Sequence, residues 1–346
     1  MPDSFDEHGR AMKVSAFLTV ILVTAFSSLA NTSSLENFSP HLSTNTPIIW
    51  QAPTNHLPKS FWIYRRLGPQ IFSATVISNA IVLGSLQSKG FPKPSTHDFF
   101  ISEDKGPNYP GSIPTIFEIS PGHASMFYTM PNSSAGSGKE IPSDETIVMR
   151  AWKYAFQLGL DPKQLVQKPL TFHVCGFDEN GRDATNQICG RSVYLSRQLD
   201  GICFWGNGDD GPNEGFWLEI GSQGKIRSFS LNWPSLERDK SQQTASPQQI
   251  IACIRAHKII VLPNTDEEAY FQRVKALANT KKFTITKITP YYSEGVYGEV
   301  PTNNEPAKVV SPIAELEAVA DFGNSNAAVR LIAPILSSEV NRLLGK

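Results

Sequence analysis

Between Ile226 and Trp233 the chain alternates with a strict period of two. Ile226, Ser228, Ser230 and Asn232 fall on one side, and Arg227, Phe229, Leu231 and Trp233 on the other. Side chains two apart share a face only in extended backbone, so this run predicts a β-strand with one apolar, buried face and one wet face. Three runs before it, Ser192 to Arg197, Ile202 to Trp205 and Gly215 to Ile220, have strand composition, and Gly, Asn and Asp clusters separate the last three of the four. The short connection Ser222, Gln223, Gly224 joins the third and fourth runs as an antiparallel hairpin. The stretch from Arg191 to Glu237 is therefore read as a meander, which excludes a parallel βαβ pattern for this part of the chain.

Helical periodicity appears on either side of that stretch. Residues 71–87 carry a broad apolar face of Val76, Ile77, Ala80, Ile81, Val82 and Leu86, ended by Gly90 and Pro92. Runs 116–119 and 125–130 form strands around the turn signal Pro121, Gly122. A second helix starts at the N-cap Ser143, with Ile147, Ala151, Tyr154, Ala155 and Leu158 as its inward stripe. A third starts at Ser246, Pro247, Gln248, Gln249, a capping box with proline at the first helical position. Residues 267–278 predict a fourth, and 283–292 a strand.

Residues 313–322 suit a helix by propensity. Read with period two they place Ala314, Leu316, Ala318, Ala320 and Phe322 opposite Glu315, Glu317 and Asp321. Pro312 before, Gly323 and Asn324 after, and the apolar run 329–335 favour a hairpin. The order, helix then antiparallel strands, recurs three times without a fixed period. The expected fold class is α+β, built of repeated helix-plus-antiparallel-sheet units at 61–142, 143–240 and 241–346.

Met12 and Lys13 precede an apolar run from Val14 to Leu29, and Ser28 and Ala30 supply the small residues that a signal peptidase reads. Residues 1–30 are thus expected to be a secretory signal peptide, cut after Ala30, with an uncleaved anchor as the alternative; the run is short for a bilayer span of about 20 residues. No later segment is long and apolar enough to span. Residues 31–60, rich in Ser, Thr, Asn and Pro, read as an extended linker, and Asn31, Asn37 and Asn132 begin glycosylation sequons. An oxidising compartment lets four cysteines pair in three ways. Cys175 and Cys189 flank a loop between strand-like runs and are expected to staple a hairpin; Cys203 with Cys253 would then pin a helix to a sheet. The alternative leaves the thiols free, and a metal site lacks paired Cys or His spacing.

The formal net charge of −1 and the absence of basic runs with interleaved aromatics exclude nucleic acid and anionic membrane surfaces as electrostatic partners. Asn207, Asp209, Asp210, Asn213 and Glu214 crowd one loop with oxygen ligands for calcium, yet they miss the EF-hand register and match ordinary turn chemistry. Asp178, Asn180 and Asp183 read the same way. Residues 135–139 (AGSGK) lack the glycine spacing and following hydroxyl of a phosphate loop, and His97, His123, His173 and His257 join no nucleophile motif. No cofactor, metal or catalytic residue is assigned. Aromatics remain. Phe204 and Trp205 are adjacent, as are Phe216 and Trp217, so one of each pair is expected outside the immediate core, and Trp205, Trp217, Tyr291 and Tyr292 are the candidate binding aromatics.

Over residues 143–335 the chain resembles PepSY-like and YycH/YycI-like extracytoplasmic domains. The resemblance lies in Arg191 to Tyr194, Leu199, Asp200, Gly201, Ile202, Gly215 to Ile220, Gly224, Lys225, Ile226, Trp233 and the Ser246, Pro247 helix start. It implies an exported, non-catalytic module that binds or restrains a protein or peptide partner. A secreted hydrolase with a loop-built site and a structural envelope protein are the alternatives, and the sequence does not fix an oligomeric state.

Overall fold

The computed structural model describes residues 38–84, 93–103, 115–130, 141–177, 183–205, 214–262, 267–294 and 309–346. The expected signal peptide, the three sequons' asparagines and residues 135–139 lie outside them. The chain forms two compact units, one from the chain up to Arg66 together with Leu236–Lys346, the other from Leu67–Ser235. The second unit is therefore an insertion into the first. Strands β1 (Ile48–Trp50) and β2 (Ser60–Arg66) open the first unit, and β2 finds its partner, β12 (Leu236–Gln243), only after the insertion. Leu236 lies opposite Arg66, and one step further Leu67 N–H donates to Ser235 O at 3.0 Å. The two ends of the insertion thus leave side by side.

The inserted unit is a seven-stranded, wholly antiparallel sheet. Its strands are β3 (Phe99–Glu103), β4 (Thr115–Ser120), β5 (Ser125–Thr129), β6 (Leu170–Phe177), β7 (Asp183–Ser196), β10 (Gly215–Ile220) and β11 (Ile226–Asn232), in the order β3-β4-β5-β11-β10-β7-β6. A two-stranded hairpin, β8 (Gln198–Leu199) and β9 (Ile202–Cys203), follows β7. Helices α1 (Ala74–Leu83) and α2 (Asp144–Gln157) cover one face. Ile77, Ala80 and Ile81 of α1 and Ile147, Ala151 and Ala155 of α2 share one core with Phe117, Met126, Tyr128, Val193, Leu195, Phe216, Leu218, Phe229 and Leu231. Of the strands in that set, β5, β7, β10 and β11 each contribute two residues two apart, as the period-two reading requires. Ser73 and Ser143 cap the two helices by accepting from Val76 N–H and Thr146 N–H.

The first unit is a second sheet, in the order β1-β14-β15-β16-β13, with β2 joining β15 and carrying β12. Its remaining strands are β13 (Ile260–Val261), β14 (Lys282–Glu294), β15 (Val309–Asp321) and β16 (Asn326–Pro334), and its helices α3 (Pro247–Arg255), α4 (Glu267–Ala276) and α5 (Ser337–Leu343). The hairpin reading of 313–322 holds: Ala314, Leu316, Ala318 and Ala320 are buried, opposite the outward Glu315, Glu317 and Asp321. The capping box at Ser246 forms as expected, with Gln249 Oε1 accepting from Ser246 N–H at 2.8 Å. No helix among the described residues is long and apolar enough to cross a membrane.

Three expectations change. The boundary at 142/143 disappears, because β3–β5 and β6–β11 hydrogen-bond into one sheet over one core. The three helix-plus-sheet repeats give way to two sheets of different order, one wholly antiparallel and one with a parallel pair, β1 with β14. Residues 38–60 are not a free linker. Ser39 is fully buried and shares a hydrogen bond with Ile259 O, Thr46 donates to Thr280 O at 2.8 Å, and Arg255 clasps Ser43 O and Thr46 O. Their polar side chains are buried because backbone carbonyls satisfy them.

Candidate functional face of the inserted sheet

The helices cover one side of the inserted sheet, and the other side is aromatic. Antiparallel partners share a face, so the register defines a row across all seven strands: Phe100, Glu118, Phe127, Ser230, Trp217, Tyr194 and Leu170. At about 4.8 Å per strand the row is about 30 Å long. The next row on the same face holds Ile116, Thr129, Ser228, Glu219, Ser192 and Phe172. Phe100 is 59% exposed, Leu170 46%, Phe172 40% and Phe127 37%, while Trp217 is half-buried and Tyr194, Ser192 and Ser228 in the middle of the two rows are buried. The outward face of the other sheet is different in kind. There Lys287 meets Glu317 and Arg330 meets Glu315, each at 2.6 Å, which is how a solvated sheet face is ordinarily dressed.

One end of the aromatic face is held by buried charge. Arg197 is 2% exposed, and its Nη1 donates to Glu214 Oε2 at 2.9 Å and to Pro234 O at 2.8 Å. Nε and Nη2 donate to Gln164 Oε1 at 3.0 and 2.8 Å, and the guanidinium lies 4.4 Å from the Trp233 ring and 5.7 Å from that of Phe204. A charge so deep persists only when its donors are matched. Burial raises the pKa of Tyr194, and the Glu214 carboxylate raises it further, so its phenol stays neutral. Gly215 makes the approach possible: with φ +149 and Leu195 O only 2.3 Å from where a Cβ would stand, no other residue fits. At the other end a bulge between Glu219 and Ile220 leaves Arg227 as the extra residue, paired with Glu219 at 3.0 Å. Burial raises the Glu219 pKa, against the attraction of Arg227.

A cleft of about 280 Å³ opens where α1 meets the β3–β4 edge. Phe72, Ile77, Phe99 and Ile119 line its apolar part, and Lys93, Ser95, His97 and Asp98 its polar rim. Ser95 Oγ lies 3.3 Å from His97 Nδ1, while the Asp98 carboxylate accepts from Ser120 Oγ at 2.8 Å. The three rim side chains therefore do not form a nucleophile–base–carboxylate relay of the kind a hydrolase needs.

The candidates from sequence are scattered. Trp217 lies in the aromatic row. Tyr291 is half-buried on β14 in the other unit. Trp205 and Tyr292 are buried, at 5% and 0% exposure. The expectation that one of Phe204 and Trp205 lies outside the core is corrected, since both are buried where the chain folds back under Arg197. The expected bridge of Cys203 to Cys253 is also corrected. Both are free thiols, one half-buried beside the β8–β9 turn of the inserted unit and the other on the inner face of α3 in the first unit. Cys175 lies opposite Ile188, next to Cys189, on the β6–β7 ladder; their side chains lie outside the described residues. Asn207, Asp209, Asp210, Asn213, Asp178 and Asn180 also lie outside them, as does the Asp183 side chain. Glu214 is committed to Arg197, and no group of three or more potential metal ligands occurs among the described residues.

Sequence reasoning missed Phe100, Phe127, Leu170 and Phe172. A faint signal existed in the alternation of Leu170, Phe172 and Val174, but a period of two does not say which face a helix will cover.

The architecture is that of a mixed α+β protein, an antiparallel sheet with helices on one face inserted into a second sheet. No protein-family model and no curated protein matches the chain. Among solved structures the C-terminal domain of Bacillus megaterium YpeB is similar at 10% identity, over 75% of this chain and 92% of that one, with a TM-score of 0.26. That is a weak likeness of fold, and nothing about function passes through it.

Proposed function

We propose that the protein is an exported, non-catalytic module that binds a protein or peptide partner through the helix-free face of its inserted sheet. The observation that carries this reading is the set of exposed side chains Phe100, Phe127, Leu170 and Phe172, with the half-buried Trp217 between them, on a sheet whose other face carries the helices and the core. Exposed apolar side chains gathered on one face of a sheet are an ordinary mark of an interaction site, and aromatic side chains dominate the energetics of such sites. Export rests on the basic start and apolar run of residues 12–30.

Photo-crosslinking tests the reading. A benzophenone amino acid at Phe127 is compared with one at Met149, which is 67% exposed on the helical side. In the extracellular fraction of the source cells, position 127 is expected to give one defined adduct and position 149 none. Equal labelling at both positions, or turnover in a broad hydrolase screen with no adduct, would overturn it.

A further inference from the structure

The register shows which backbone groups the inserted sheet leaves open. Arg197 N–H donates to Glu214 O, so the odd-numbered residues of β7 turn their peptide groups toward β10. In an antiparallel ladder the alternate residues turn the other way, so Tyr194 and Ser192 bond toward β6; Val166 N–H donating to Ser196 O agrees with this phase. Leu170 and Phe172, opposite Tyr194 and Ser192, therefore point their peptide groups inward, and Thr171 and His173 point theirs outward. Among the described residues β6 has a neighbour on one side alone, so these outward groups lie on a sheet edge.

Proteins commonly guard such edges with charge, proline or a bulge. β12, an edge of the other sheet, does so with Glu237, Arg238, Asp239 and Lys240 and with a bulge between Arg238 and Lys240. Lys168 and Pro169 stand before the β6 edge and bulges at Val174/Cys175 and Cys175/Gly176 after it, but from Leu170 to His173 it has no acid, lysine, arginine or proline. The His173 side chain is turned toward Asp144 of α2, 3.8 Å away, and Leu170 and Phe172 stand exposed at alternate positions on the aromatic face.

We infer that a partner binds by strand addition at β6. An extended segment of another protein, apolar at alternate positions, would bond to the outward peptide groups of Thr171 and His173. Its apolar side chains would lie beside Leu170 and Phe172, lengthening the aromatic row by one strand. This rests on the reading of that face as the binding surface. A peptide segment is favoured over a second copy because bulges at Val174/Cys175 and Cys175/Gly176 end the regular edge after four residues. Four residues of ladder seat a short strand, whereas a stable pair of subunits needs about 800 Å² per partner.

The test uses the full chain and a fluorescent, acetylated seven-residue peptide alternating valine and threonine. A copy N-methylated at alternate residues keeps the side chains and loses the backbone donors. The wild type is expected to bind the first peptide saturably and the methylated one at least tenfold more weakly, with the amides of Thr171 and His173 newly protected from exchange. Thr171→Pro removes one outward N–H at a position where an edge strand tolerates proline, and is expected to lose at least tenfold in affinity. Thr171→Val keeps the N–H and is expected to bind as the wild type. Equal binding of both peptides, or full binding by a folded Thr171→Pro, overturns strand addition. If the crosslink at Phe127 survives in Thr171→Pro, the aromatic-face reading stands and the edge mechanism falls. Concentration-dependent dimerisation that Thr171→Pro abolishes would overturn the choice of a peptide by naming a second copy as the occupant.

Discussion

Arg197 and Glu214, seventeen residues apart, meet at 2.9 Å with both side chains almost wholly removed from water. The pair ties the end of β7 to the start of β10 and holds Trp233 and Phe204 against its guanidinium. Glu214→Ala leaves a buried cation short of its carboxylate, a loss of about 3–5 kcal/mol. Urea unfolding of the purified chain checks this. A midpoint shift no larger than that of the exposed pair Lys287–Glu317 when it is broken would contradict the role given to Glu214.

Gly215→Ala places a methyl group 2.3 Å from Leu195 O at a φ of +149. The backbone strain alone is worth at least about 2 kcal/mol, and Tyr194 is displaced as well. Thermal unfolding reads the loss. Gly201→Ala, whose φ is +78 but which has open space around it, is expected to lose clearly less.

Cys253 is fully buried, and burial, reinforced by Glu339 and opposed by Lys346, pushes its thiol up to about 12. An unfolded thiol titrates near about 8.5. Above that pH the unfolded chain loses a proton that the folded chain keeps, so stability is full below about pH 8.5 and falls as pH rises toward 12. Burial also raises Tyr194 and Tyr270, which extends the loss to higher pH. The urea midpoint of Cys253→Ala, whatever its offset at pH 7, is expected to fall less steeply between pH 8.5 and 10. Parallel curves for the two proteins would contradict the assignment.

We propose that Cys175 and Cys189, neighbours on the β6–β7 ladder, form a disulfide, which the proposed export would allow. Cys203 and Cys253 are free, and Cys203 is the more accessible. Alkylation of native protein without reductant is expected to modify Cys203 first, then Cys253 on unfolding, for two adducts by intact mass; reduction raises the number to four. Four adducts without reductant would show that the hairpin is not stapled.

Local features were legible in the sequence, and long-range ones were not. The alternation of Phe229 and Leu231, the stripe of Ile147, Ala151 and Ala155, the capping box at Ser246 and the strand from Ile313 each follow from residues a few positions apart. The pairing of Leu236 with Arg66 leaves no local trace, and with it the insertion went unseen. The same holds for β5 beside β11, where Phe127 meets Ser230 about a hundred residues away. Phe204 and Trp205 misled because alternation fixes opposite faces only in a flat strand, and β9 ends at Cys203. The aromatic face stayed hidden because Phe100, Phe127, Trp217, Leu170 and Phe172 come from four separate strands, each contributing one or two residues.

The most direct measurement of the central claim compares capture of the crosslinked partner by three purified proteins. Phe100→Asp with Phe127→Asp charges the helix-free face, and Val82→Asp with Met149→Asp charges the helical side at residues that are 72% and 67% exposed. The account predicts that the first pair lowers affinity for the partner at least tenfold while the second binds as the wild type. Unchanged affinity in the face variant, or loss in the helical-side variant, would contradict it.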